Sequence, residues 1–206
     1  MLYNSYFKNP KDVPLLLEKI EKYTEQTGPV RLMEICGTHT MAIARSGIRS
    51  ILPDNVQLLS GPGCPVCVTP SNMIDMILDL SQRPGVLITS YGDLLRVPGS
   101  SQGDSLLTRR AAGSRVESVY SPMDALKIAE EQPETEVIFL GVGFETTAPG
   151  TAACILEASA RNLENFSVLC LLKRTEPAIR SLIESDDFAV NGFLCPGHVA
   201  AIIGAD

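Results

Sequence analysis

The chain has 206 residues, and 17 basic against 24 acidic side chains give it a net charge of −7. At roughly 150 residues per domain this is one to two domains, and 45% hydrophobic against 20% charged residues is the balance of a soluble globular protein. No Lys/Arg cluster is present to meet phosphates, and the longest apolar runs, such as Val168 to Leu172 and Val199 to Ile203, fall far short of the ~20 residues of a membrane span. Nucleic-acid and membrane partners are therefore not expected. Met1 to Lys8 shows no charged leader followed by an apolar core, so no secretory signal is expected and a cytoplasmic location is.

Helical spacing of Leu15, Leu16, Ile20 and Tyr23 predicts a helix over Pro14 to Thr27, stopped by Gly28-Pro29. Val30 to Cys36 reads as a strand, Met41 to Arg45 as a short helix, and Val56 to Ser60 as a second strand before Gly61-Pro62-Gly63. Ser71 is expected to cap a helix carrying Met73, Ile74, Ile77, Leu78 and Leu80. Val86 to Ser90 is a third strand, and the Gly/Ser-rich stretch from Pro98 to Asp104 reads as a crossing loop or domain boundary.

Strand and helix continue to alternate beyond it. Strands are predicted at Arg115 to Tyr120, Val137 to Leu140, Ser167 to Leu172 and Val190 to Leu194, with helices from Ser121-Pro122 to Glu131, Pro149 to Leu163 and Pro177 to Glu184. Strands separated by 10–15-residue helices imply βαβ units with parallel sheets. The fold class is thus α/β, as two Rossmann-like units facing a central cleft, at residues 1–100 and 101–206. The last residues, Ile202-Ile203-Gly204-Ala205-Asp206, fall in the first turns of an expected helix, which suggests a second domain truncated at its end.

Four loops that follow a strand and precede a helix collect the reactive side chains: Cys36-Gly37-Thr38-His39-Thr40, Cys64-Pro65-Val66-Cys67, Gly141 to Pro149, and Cys195-Pro196-Gly197-His198. Loops at the carboxyl ends of parallel strands line the ligand crevice of such folds. Cys64-x-x-Cys67 suits a redox disulfide or two ligands to one metal, and a helix starting after it is expected to lower the thiol pKa; the plain alternative is two small residues filling a tight turn. Cys36-x-x-His39 with Cys64 and Cys67 offers a Cys3His set, hence a closed zinc site, while a thiolate beside an imidazole equally suits a soft metal with open positions.

His39 alone is also read as a helix-capping residue. Gly141-x-Gly143 has Thr146 where a dinucleotide fingerprint needs its third glycine, and gives little support to nucleotide binding. Glu145 is either a proton acceptor or holder of a partner's amine at the crevice, or a solvated loop acid. Asp93 and Arg96 are candidates for an ion pair, Cys195 and His198 repeat the C-x-x-H spacing, and Cys154 and Cys170 are read as core residues.

These loops resemble those of the HypD family of hydrogenase maturation factors. The matching strings are Glu34 to Thr40, Gly61 to Pro70, Tyr91-Gly92-Asp93 through Gly99, Gly141 to Pro149, and Cys195 to His198, in one order and over essentially the whole chain. The resemblance implies a scaffold that, with HypC, assembles the Fe(CN)2CO unit of NiFe hydrogenase from cyanide delivered by HypE as a thiocyanate made with HypF. It implies Cys36 as iron ligand, Cys64 and Cys67 as the redox pair, and His39 near the iron as ligand or proton donor. Gly37, Thr38, Asp93, Glu145, Cys195 and His198 sit in matching motifs. The family's 4Fe–4S cluster would be held by cysteines this chain lacks. A thiol–disulfide oxidoreductase and a zinc-stabilised binding module are the rival readings.

Overall fold

A computed structural model of the chain describes residues 9–204. The expectation made for Met1 to Lys8, and the end of the last helix at Ala205-Asp206, lie outside the described residues. Two compact units are present: Met1–Gly63 with Arg180–Gly197, and Cys64–Ile179 with His198–Asp206.

The first unit has a three-stranded parallel sheet, in the order β2-β1-β7, of β1 (Val30–Glu34), β2 (Val56–Ser60) and β7 (Gly192–Leu194). Its register runs from Val30 opposite Val56 to Glu34 opposite Ser60, with Leu32 to Glu34 opposite Gly192 to Leu194 on the other side. Helix α1 (Val13–Thr27) precedes β1 and stops at Gly28, whose φ of 82° a side chain would disfavour. Helix α2 (Gly37–Ser46) follows β1 directly and ends at Gly47 in the left-handed conformation that closes many helices. The apolar spacing of α1 forms the helix but is not matched by burial, since Leu15, Leu16 and Tyr23 are 54%, 55% and 68% exposed.

The second unit holds a four-stranded parallel sheet, β4-β3-β5-β6, formed by β3 (Val86–Ser90), β4 (Val116–Ser118), β5 (Glu136–Gly143) and β6 (Phe166–Leu172). Helices α3 (Ser71–Leu80), α4 (Leu106–Ala111), α5 (Pro122–Glu131) and α6 (Ala148–Ala160) belong to it. Alternation along β5 sends Ile138, Leu140 and Val142 into a core with Ile74, Ile77 and Leu78 of α3, while Val137 and Phe139 join separate clusters with Ala129 and Ala125 of α5. A parallel sheet covered on both faces makes its strands read as unbroken apolar runs, as β3 and β5 do. Helices α7 (Thr175–Ile183) and α8 (Gly197–Ile203) each carry the chain across the division between units.

The α/β class with parallel sheets is as the sequence implies, but the units do not coincide with residues 1–100 and 101–206. Pro98 to Asp104 is internal to the second unit because β3, before it, pairs with β4 and β5, after it. The stretch is pinned by Asp75, which accepts the Ser100 N–H at 2.7 Å, and by the Asp104–Arg109 ion pair at 2.6 Å. Ser71 is the first residue of α3 rather than its cap; Pro70 holds the cap position without a side-chain bond. Ser121 does cap α5, accepting the Met123 N–H at 3.1 Å while Asp124 returns the bond to Ser121 N–H. Among the described residues no helix is long and apolar enough to cross a membrane.

Candidate functional site

Cys36 occupies the turn between β1 and α2 in the first unit. It is 6% exposed, has extended backbone (φ −150°, ψ 124°), and its carbonyl accepts the N–H groups of His39 and Thr40 at 2.8 and 3.1 Å. Two structures hold this turn. From within, the fully buried Glu34 accepts the Cys36 N–H at 3.2 Å and the Thr40 hydroxyl at 2.5 Å. From the side, Gly63 lies so close that a Cβ there would sit 2.5 Å from Cys36 Cα and closer still to Cys36 N and Ile35 C, and its carbonyl accepts the Gly37 N–H at 3.4 Å. Only glycine admits that approach.

His39 is the third residue of α2, and its Nδ1 is buried without a hydrogen-bond partner among the described residues. Buried imidazole nitrogens are ordinarily paired, so this atom is available to a ligand or proton. It does not cap the helix, because it lies inside it. Gly37 and Thr38 are exposed residues of the first turn of α2.

Cys64 and Cys67 open the second unit on a single helical turn closed by Val68 N–H to Cys64 O at 3.2 Å and Thr69 N–H to Val66 O at 3.1 Å. Val66 between them is buried in the large core, which anchors the turn and leaves Cys67 exposed. Both cysteines are free thiols, and the Cys67 N–H points at Cys64 Sγ from 3.3 Å. The hydrogen bond with Cys64 pushes the Cys67 thiol above its ordinary pKa, with burial and the charges of Cys64 and Asp93 adding to it. This corrects the expected lowering: α3 begins only at Ser71, four residues on, and a helix terminus acts within about one turn.

The other candidates separate. Glu145 caps α7, its two oxygens accepting the Thr175 N–H at 2.6 Å and the Thr175 hydroxyl at 2.7 Å. Burial pushes its carboxyl up, but the bonds from Thr175 outweigh this and hold it below the usual range. With both oxygens committed, it is a bound cap rather than a solvated acid. Gly141 and Gly143 belong to β5, and a Cβ at Gly143 would collide with Thr147, so packing accounts for that glycine.

Asp93 accepts the Leu94 N–H at 2.9 Å and caps a 3-10 turn over Leu94–Arg96; no ion pair joins it to Arg96 among the described residues. Cys195, exposed, follows β7 in the first unit, whereas His198, also exposed, belongs to the second. Cys154 is fully buried, but Cys170 is exposed, because β6 is an edge strand on which Leu171 alone is buried. Within each unit, taken by itself, no group of three or more His, Cys, Asp or Glu is assembled among the described residues. Neither Cys154, on a core helix, nor Cys170, on an edge strand, has the company a four-thiolate cluster needs, so this chain's residues do not fit the 4Fe–4S group.

Glu34, Thr40, Gly63 and Thr175 are the site residues to which sequence reasoning assigned no role. For Glu34 a signal existed: it is an acid at the end of the apolar run Val30 to Ile35, two residues before Cys36.

Comparison with known proteins agrees with the loop motifs. Residues 12–206 match the family described as "HypD: Hydrogenase formation hypA family". Hydrogenase maturation factor HypD2 of Bradyrhizobium diazoefficiens is 46% identical over 211 residues, covering 99% of this chain and 55% of that protein. Hydrogenase maturation factor HypD of Escherichia coli K12 is 44% identical over 212 residues, covering 100% and 56%. Its namesake from Cupriavidus necator is 47% identical over 178 residues, covering 84% and 47%. The chain spans about half the length of the curated relatives it matches. On identity of this level over nearly its whole length, the chain belongs to the HypD family, whose named members are hydrogenase maturation factors.

Proposed function

We propose that this chain is the iron-holding portion of a NiFe-hydrogenase maturation factor, working in the cytoplasm with HypC and HypE to assemble the Fe(CN)2CO unit. The observation that carries the reading is the Cys36 turn: a buried sulfur fixed by its own backbone on both sides, next to an imidazole nitrogen without a partner. Thiolates suit iron that carries strong-field ligands, and a ligand held in advance loses little freedom on binding. The iron is the cargo of this reaction. Cys36 supplies one thiolate to it and a cysteine of HypC another, with His39 as further ligand or proton donor. Gly37, Thr38, Asp93, Cys195 and His198 line the approach.

The redox half falls to Cys64 and Cys67. The S–C bond of the HypE thiocyanate takes up the electron pair released when the two thiols join, giving the HypE thiol, cyanide for the iron, a Cys64–Cys67 disulfide and one proton. Two free thiols on one turn, with an N–H already directed at the Cys64 sulfur, support this assignment. This is an assembly scaffold with a redox step rather than a turnover enzyme in the ordinary sense. Glu145 contributes by capping α7, and no step is derived through a 4Fe–4S cluster.

The exposed Cys67 also favours a plain thiol–disulfide oxidoreductase that needs no iron. An infrared spectrum in the CN and CO stretching region, of the protein purified anaerobically with HypC, separates the two. Bands present in the wild type and lost in Cys36→Ala, with the fold retained, are expected. Bands that persist in Cys36→Ala would refute the iron assignment, and disulfide reduction without any bands would favour the oxidoreductase.

A further inference from the structure

A carboxylate taken wholly out of water loses hydration worth several kcal/mol, and proteins ordinarily compensate such a charge with a cation. Glu34 is 0% exposed, and among the described residues no basic side chain forms an ion pair with it. Its two oxygens are instead assigned to two neutral donors of the same turn: Oε2 to the Cys36 N–H at 3.2 Å, and Oε1 to the Thr40 hydroxyl at 2.5 Å. The Thr40 oxygen also lies 3.4 Å from the Cys36 carbonyl. Thr40 is one helical turn beyond Cys36, so the carboxylate ties the end of β1 to the first turn of α2 with Cys36 between the two attachments. Hydrogen bonds to a charged acceptor are stronger than neutral ones, and the position beneath a helix N-terminus favours the negative charge.

We propose that Glu34 and Thr40 are positioning residues for the Cys36 sulfur, a role that rests on the reading of Cys36 as iron ligand. Holding the Cys36 N–H fixes the peptide plane before Cys36, and holding Thr40 fixes the helix after it. The Cα–Cβ bond of Cys36 then has one direction, with Gly63 closing the side to which the turn would otherwise relax. The clamp keeps the sulfur buried and aimed until metal arrives.

The test compares Thr40→Val, which keeps the shape and removes the donor, with Thr40→Ser, which keeps the donor. Alkylation of Cys36 by iodoacetamide is followed peptide by peptide, and Co(II) is titrated as a probe through its thiolate-to-cobalt absorption, with Cys36→Ala as reference. Thr40→Val is expected to raise the Cys36 alkylation rate about tenfold and weaken Co(II) binding about tenfold, as loss of one charge-assisted bond implies, while Thr40→Ser restores both. A Thr40→Val protein that is alkylated at the wild-type rate, or a Thr40→Ser protein as reactive as Thr40→Val, overturns the clamp. Should Thr40→Val not fold, Glu34→Gln replaces it: the amide keeps an acceptor for Cys36 N–H but removes the charge, and an unchanged alkylation rate again overturns the proposal. A cobalt band that survives in Cys36→Ala refutes Cys36 as metal ligand, while the alkylation rates still decide the clamp.

Discussion

Gly63→Ala and Gly37→Ala change two glycines of the same turn by the same methyl group, and the structure assigns them opposite outcomes. A Cβ at Gly63 would lie 2.5 Å from Cys36 Cα, with Cys36 N and Ile35 C nearer still, whereas ordinary contact begins at 3.4 Å. Backbone must therefore move by about 0.9 Å, and no flexible side-chain end is there to yield instead. Overpacking costs about 1–3 kcal/mol, and a clash with main chain on both sides of a peptide belongs at the upper end, about 2–3 kcal/mol. At Gly37 no atom lies within 4 Å of the added carbon and the position is helical, so alanine costs nothing and gains up to about 1 kcal/mol. Because two compact units are present, global unfolding is a poor readout, and local opening measured by hydrogen exchange of the β1 amides is the suitable one. Exchange over Val30–Glu34 should speed up by about 30- to 150-fold in Gly63→Ala and stay at or below the wild-type rate in Gly37→Ala. Equal acceleration in both variants, or none in Gly63→Ala, would refute the packing argument.

Removing Cys64 removes the largest cause of the raised Cys67 pKa, so in Cys64→Ala the pH midpoint for alkylation of Cys67 should fall; an unmoved midpoint would show that the two thiols do not interact. Glu145 has a depressed pKa when folded, so its contribution is complete above the ordinary glutamate pKa of about 4.3 and is lost as pH falls through the lower folded value. Glu145→Gln should accordingly lower thermal stability at pH 7 by roughly 1 kcal/mol after solvent screening, with a gap to wild type that closes in acid; a gap constant with pH would contradict the cap. Cys154 is fully buried and its Sγ donates to the Pro122 carbonyl at 3.2 Å, so Cys154→Ala should cost about 1–2 kcal/mol in urea titration of the second unit and leave iron assembly intact.

Elements with strong local signals were legible. β3 and β5 are buried on both faces and announce themselves as apolar runs, and α5 is bounded by a Ser-Pro start that the structure reproduces. The division of the chain was not legible, because β7 pairs with β1 across 160 residues and no local pattern records that choice. Helix α4 escaped notice since its six residues bury only Leu106, too short a stretch for periodicity to show. At the site, the cysteine and histidine spacings were visible in the sequence. The partners that define what those residues do were not: Thr175 meets Glu145 from 30 residues away, and Thr147 explains Gly143 by contact alone.

The two thiol sites differ in what else depends on them. Among the described residues of the first unit, only Thr24, Glu34, Ile35, Cys36 and Pro196 are buried, and four of these five lie in the turns that follow β1 and β7 or at the end of β1. Ile35 N–H donates to Leu194 O at 3.3 Å, which draws the two strand ends together. The candidate metal site and the best-packed part of this unit are thus the same few residues. A unit with so little apolar core relies on the polar clamp of Glu34 and on the close approach of Gly63, so that changes made to alter metal binding there also alter local stability. The Cys64–Cys67 turn, by contrast, rests on a large core through Val66 and exposes Cys67. Its chemistry is separable from its fold. Variants of Cys67 therefore report on redox function directly, whereas variants around Cys36 do so only alongside a measurement of how tightly the turn is held.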